Sequence, residues 1–207
     1  MSDRVAIVGG GVVGCAVARE LAPDYDVEVF EKGQLAGEAS ALAAGEVTML
    51  SSYEDEPAIG WHAIDFFREY DGTGEFTFTE LPSVGLVTPE REDEKRRYAS
   101  RVAADGLPVR YLEREKASER YPTFDLSDHA GVIEQDVSGF VDPYTFTITL
   151  HDDARDDGAT FHTDTAVHDL LVEDDEVVGI DTENGRVEAD YVVCAAGWRT
   201  REFLLEH

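Results

Sequence analysis

The glycine run at positions 9–14 constrains this chain most, because it stands between a strand-like stretch and a helix-like one. Val5-Ala6-Ile7-Val8 is a short, β-branched apolar run, long enough for one buried strand. It passes directly into Gly9-Gly10-Gly11-Val12-Val13-Gly14, which fits the G-x-G-x-x-G spacing. A helical pattern follows, with Val13, Ala16, Val17 and Leu21 expected on its inner face, and Pro23-Asp24 ends it. A second strand, Val27-Glu28-Val29-Phe30, terminates on Glu31. Each part has a physical task in a dinucleotide-binding βαβ unit. Gly9 permits the tight turn, Gly11 lets the backbone approach a pyrophosphate, and Gly14 lets helix and strand pack closely. The helix N-terminus offers unpaired N–H groups and the positive end of a dipole to the phosphates. Glu31 lies about 20 residues past the glycines, where a carboxylate accepts hydrogen bonds from a ribose diol. It disfavours a cofactor with a 2′-phosphate but does not separate FAD from NAD.

Beyond this unit, residues 32–49 form a Gly/Ala/Ser-rich loop with a short helix in it, long enough to suggest a functional role. Residues 57–70 read as a helix whose Ile59, Ala63, Phe66, Phe67 and Tyr70 face a core. Residues 75–88 read as strand material, and Thr88-Pro89 starts a helix running to Gly106 with Ala99 and Val102 inward. A strand at 109–112, a helix at 114–120 and a strand at 132–133 come next. Asp142 is placed as the cap of a helix with Pro143 in its first turn, continuing to Gly158. The tail is a run of strands at 160–163, 167–172, 177–181, 186–189 and 191–194, with Asn184-Gly185 as a hairpin signal. It closes on Ala195-Ala196-Gly197, a second small-residue turn.

Charge narrows the partners. The 207 residues hold 45 Asp and Glu against 17 Lys and Arg, a formal net charge of −28. Such a surface repels nucleic acid and anionic membranes, so neither is expected as a partner. The acids are spread along the chain, which points to a protein adapted to molar salt, where the Debye length is about 3 Å. The bunched Asp152, Asp153, Asp156 and Asp157 read as hydrated surface, not as a metal site. Cys15 and Cys194 lack metal-ligand spacing and sit beside glycine turns, as structural thiols do. With no basic leader or cleavage site at the N-terminus, a cytoplasmic location is expected.

Several stretches carry a family resemblance: residues 5–14, Glu31, the Ser40-Ala41-Leu42-Ala43-Ala44-Gly45 loop, Val141-Asp142-Pro143-Tyr144, Gly158-Ala159-Thr160-Phe161, and residues 192–198. Over essentially its whole length the chain resembles the D-amino-acid oxidase family of FAD-dependent oxidoreductases, nearest its glycine oxidase and sarcosine oxidase branch. The resemblance implies an α/β fold. A Rossmann-type FAD-binding domain would cover 1–50 and 144–207, with 51–143 inserted as part of an incomplete, mixed-sheet substrate domain. It places Val12 and Val13 beside the pyrophosphate, Glu31 and Lys32 at the adenosine ribose, and Ala39 and Ser40 at the phosphates. Ala44, Gly45 and Glu46 fall near the flavin, Val167 meets the adenine through its backbone, and Ala196 and Gly197 form a second turn at the dinucleotide. Trp198 follows Gly197 directly, where the family often inserts a residue.

The family continues well past this turn, so the chain resembles an N-terminal portion, and no catalytic residue is assigned in it. The implied chemistry is oxidation of a small amine or amino acid by hydride transfer to the flavin. A companion chain would be one source of the remaining half. Two alternatives stay open: an NAD-dependent dehydrogenase, and a non-catalytic dinucleotide-binding subunit that needs a partner chain.

Overall fold

The structure is a computed structural model, and it describes residues 2–48 and 55–205. In chain order the elements are β1 (Arg4–Val8), α1 (Val12–Leu21), β2 (Asp26–Phe30), α2 (Ala39–Leu42), β3 (Glu46–Val47), α3 (Pro57–Tyr70), β4 (Phe78–Glu80) and β5 (Ser83–Val87). There follow α4 (Glu92–Ala104), β6 (Val109–Glu113), α5 (Arg114–Arg120), β7 (Gly131–Gln135), β8 (Gly139–Val141) and α6 (Pro143–Asp156). The chain closes with β9 (Thr160–His162), β10 (Val167–Glu173), β11 (Glu176–Thr182), β12 (Gly185–Glu188), β13 (Tyr191–Cys194) and α7 (Thr200–Leu205). These elements fold into two units, the first of Met1–Ala44, Thr73–Phe76 and Asp142–His207, and the second of Gly45–Gly72 and Thr77–Val141.

The first unit is built on a parallel sheet in the order β13-β1-β2-β9. Strands buried on both faces need continuous apolar sequence, and β1 supplies it from Val5 to Val8, whereas β2 buries Val27, Val29 and Phe30 but keeps Glu28 only half-buried. On one face Val5, Ile7, Val27 and Val29 pack with Ala18, Ala22, Ala154 and Ala159. On the other, Ala6, Val8 and Phe30 pack with Ile180 and Ala189 of the antiparallel sheet β10-β11-β12 and its exit.

The inner face of α1 matches the expected one only in part: Val17 and Leu21, partly buried, pack against the sheet core as expected. Gly14, Cys15 and Ala18 are buried, whereas Val13 is 60% exposed. The reason is distance: a Cβ at Gly14 would stand 1.9 Å from the Gly9 carbonyl oxygen, so only small residues fit on that face. Burial lifts the Cys15 thiol, with a smaller push from the Glu31 charge, to a pKa of about 12. Helix α6 begins as expected, with Asp142 Oδ1 accepting the Thr145 N–H at 2.7 Å.

The hairpin signalled by Asn184-Gly185 forms between β11 and β12, with its loop one residue earlier than expected. Thr182 pairs with Gly185, so Glu183-Asn184 occupy the loop, and the Thr182 hydroxyl donates to the Gly185 carbonyl at 2.8 Å. Between β10 and β11, Asp174 and Asp175 both take positive φ, 51° and 66°, as a two-residue type I′ turn requires.

The second unit holds two antiparallel sheets, β3-β8-β4 and β5-β7-β6. The stretch at 75–88 is not one strand: Pro82, which lacks an N–H, falls between β4 and β5. Strand β8 was not foreseen, being three residues long. In α3 the buried residues are Gly60, Ile64 and Tyr70, while Ile59 is 49% exposed. The inner stripe is thus turned by one residue from the expected one, and the aromatic rings at its edge pair with one another. Phe66 stacks on Tyr70 with centroids 5.1 Å apart, and Phe67 lies 5.5 Å from Phe78. In α4, Ala99 and Val102 face inward as the pattern requires. Glu134, wholly buried on central strand β7, forms ion pairs with the guanidinium groups of Arg110 and Arg120, and its Oε2 accepts from Arg120 and from the Tyr121 hydroxyl. Desolvation works against its charge, but those donors together hold its carboxyl below the usual range. Among the described residues no helix is long and apolar enough to cross a membrane.

Candidate dinucleotide-binding site

The site forms where β1 stops. Gly9 turns the chain at φ +111°, and its N–H donates to the Phe30 carbonyl at 2.8 Å. A side chain there would run into the Ala195 carbonyl oxygen, 2.5 Å from an ideal Cβ. The two small-residue turns are thus pressed together, and the Ala195 N–H donates to the Val8 carbonyl at 2.8 Å. Their separation in sequence is large, so only the parallel pairing of β1 with β13 makes them neighbours.

Helix α1 starts at Gly11, which gives no side-chain cap. The first-turn N–H groups of Val13 and Gly14 have no acceptor within the helix. The Val12 N–H donates to Ser40 Oγ at 3.0 Å, tying the 32–40 loop to the helix end. Ala36, with φ 55° and nearly full burial, anchors the same loop through its N–H to the Gly10 carbonyl at 3.0 Å.

Glu31 is held at both carboxylate oxygens. Oε2 accepts the Gly10 N–H at 2.8 Å and Oε1 accepts the Gly33 N–H at 3.0 Å. Its own N–H donates to His162 O at 2.9 Å, and its carbonyl accepts the Thr165 N–H at 2.9 Å. A carboxylate has about four lone-pair sites, so two remain for a ligand.

These elements enclose a cleft of about 350 Å³. Gly9, Gly11, Val12, Val13, Glu31, Lys32, Ala39, Ser40, Val167, Ala196 and Gly197 all line it. Gly14 lies buried beneath the turn. Ala44 is not among the lining residues. Gly45 and Glu46 belong to the second unit, where Gly45 at φ +77° accepts the Val141 N–H at 2.9 Å and Glu46 pairs with Phe140.

Sequence reasoning missed Glu38, Trp198, Arg199 and Phe203, which also line the cleft. Glu38 accepts from Lys32 Nζ at 2.6 Å and from Arg199 Nη1 at 2.7 and 2.8 Å, and the Arg199 guanidinium lies 4.2 Å from the Trp198 ring centroid. No spacing signals that pairing, because the partners come from opposite ends of the unit. Chemically, the arrangement offers free N–H donors to a diphosphate, a fixed carboxylate to a diol, and apolar walls to a base.

Comparisons with known proteins show the family. The family model of FAD dependent oxidoreductases matches residues 4–207. The 4-methylaminobutanoate oxidase (formaldehyde-forming) of Paenarthrobacter nicotinovorans is 28% identical over 204 residues, covering 96% of this chain and 25% of that protein. Glycine oxidase of Geobacillus kaustophilus is 30% identical over 210 residues, covering 95% of this chain and 55% of that one. The crystal structure of glycine oxidase from Geobacillus kaustophilus superposes with a TM-score of 0.83 at 28% identity, over 98% of this chain and 58% of that one. The chain therefore spans between a quarter and just over half the length of these relatives.

Proposed function

The chain belongs to the family of FAD-dependent oxidoreductases, whose model spans residues 4–207, and on that premise we propose that its first unit binds FAD in an enzyme that oxidises an amine or amino acid. The observation that carries this is the Glu31 carboxylate, fixed by the Gly10 and Gly33 N–H groups at the rim of a cleft that also receives the N-terminal end of α1, where Gly11 gives no side-chain cap. The residues present fit the cofactor. Glu31 and Lys32 take the adenosine ribose region, and Val12, Val13, Ala39 and Ser40 take the pyrophosphate. Ser40 Oγ can keep the Val12 N–H while its own proton turns to a phosphate oxygen. Val167 meets the adenine through its backbone, and Ala196 and Gly197 leave room for the chain of the dinucleotide.

FAD, when bound, supplies the hydride acceptor for the carbon bearing the amine. This chain's residues hold and orient it. The names of the relatives above favour a small amine or amino acid as substrate, and the family match leaves the nicotinamide and non-catalytic alternatives without support. Turnover is expected of the polypeptide that carries the remaining length of those relatives, whether continuous with these residues or supplied as a companion chain. The test is anaerobic addition of amines and N-methylated amino acids to the FAD-loaded protein. Bleaching of the flavin band by one of them is expected. A band unchanged by every amine, with FAD bound and the full length present, would reject the assignment.

A further inference from the structure

In the second unit, Phe140 on β8 pairs directly with Glu46 on β3 and with Thr79 on β4. Directly paired residues of antiparallel strands share a face, with Cβ atoms about 4.5–5.5 Å apart. A carboxylate therefore stands beside an aromatic ring that is 48% exposed. Both line a groove of about 440 Å³, with Leu81, Val84 and Phe124 among its apolar walls. Phe124 is 42% exposed; it is stacked on Tyr121 at 5.5 Å and 17°, and the Tyr121 hydroxyl is held by buried Glu134. The Ser83 hydroxyl donates to Glu46 Oε1 at 3.0 Å and orients it. Among the described residues no Lys or Arg lines the groove, and none pairs with Glu46.

Aromatic faces carry a negative quadrupole, and a neighbouring carboxylate adds a full charge. A strongly hydrated cation gains little from apolar walls, and a neutral ligand would desolvate the carboxylate without pairing it. The ligand that satisfies both halves is an organic cation whose charge is spread under a shell of methyl or methylene groups. We propose that this groove binds an alkylated ammonium ion, Phe140 and Phe124 meeting its alkyl groups and Glu46 its charge. Only the further step of calling that ion the amine substrate rests on the flavoenzyme assignment.

The probe is tetramethylammonium chloride, titrated calorimetrically into the full chain without flavin at constant ionic strength, with tert-butanol as the neutral counterpart of similar shape. Tetramethylammonium is expected to bind saturably and at least tenfold more tightly than tert-butanol. Glu46→Gln should weaken it about tenfold, and Phe140→Leu, which keeps apolar area but removes the ring, severalfold. Absent saturation, equal affinity for tert-butanol, or binding indifferent to both substitutions would each overturn the proposal. Ammonium chloride at the same ionic strength, equal in charge but without the methyl shell, controls for attraction to the net charge of −28, and equal affinity for it would overturn the proposal even if a variant does not fold. FAD binding is measured separately, so a failure of the cofactor assignment is distinct from a failure here.

Discussion

Glu31 has two tasks, and their separation is measurable. Its carboxylate accepts the Gly10 and Gly33 N–H groups and also presents lone pairs to the cleft. Glu31→Ala should therefore weaken FAD binding by about 1.5–3 kcal/mol, the range for hydrogen bonds to a charged group. It should also lower the melting temperature, because two turn N–H groups lose their acceptor. Glu31→Gln, which keeps one acceptor oxygen, should cost less in both. Flavin titrations and thermal melts of the three proteins check this, and unchanged affinity would remove Glu31 from the site. At Cys15 the raised pKa keeps the protonated thiol dominant at neutral pH. Iodoacetamide followed by peptide mass analysis should leave Cys15 unmodified in the folded protein and alkylate it only on unfolding. The glycines and Glu31 were legible because their spacing is local. Glu38 and Arg199 were not, since a salt bridge across most of the chain leaves no trace in spacing.

At the scale of elements, α6 offers the cleanest test. Asp142 caps it through the Thr145 N–H and hydroxyl, and those hydrogen bonds hold the Asp142 carboxyl below its ordinary range. Asp142→Ala should lower stability by about 1 kcal/mol, read as a shift in the denaturation midpoint at constant slope. A carboxylate whose folded pKa is depressed stabilises fully above its unfolded value and loses that contribution as pH falls through the folded one. Asp142 and Glu134 both fall in this class, as do Glu80, Glu113 and Asp125, so the unsubstituted protein should lose stability below about pH 4, with only part of that loss absent from the double variant Asp142→Asn, Glu134→Gln. The cap was legible because Asp-Pro followed by a helical pattern is a local signal. The inner faces of α1 and α3 were legible only in part, with Val17, Leu21 and Tyr70 turned inward as expected, because large apolar side chains attracted the rest of the assignment. Close approach to the sheet admits only Gly14, Cys15 and Ala18, and Ile64 sits one position round from the assumed stripe. Strand β8 escaped because its three residues form a strand only by pairing with β3 and β4.

For the whole molecule, the parallel sheet and its glycine turn were readable from the strand-helix-strand order, whereas the path between units was not. The strip Thr73–Phe76 joins the first unit through Phe76, which packs 5.0 Å from Phe146, a distant neighbour in sequence. The net charge of −28 motivates a further proposal, adaptation to high salt. The melting temperature should rise as KCl goes from low to molar concentration, because screening relieves carboxylate repulsion. A flat or falling series would reject it. The cleft of the first unit is proposed to hold the adenosine diphosphate half of FAD. Calorimetric titration of the flavin-free chain with FAD, ADP and NADP tests it most directly. One site that takes FAD and ADP competitively and discriminates against the 2′-phosphate of NADP is predicted; no binding of FAD or ADP at millimolar concentration, or preference for NADP, would contradict it.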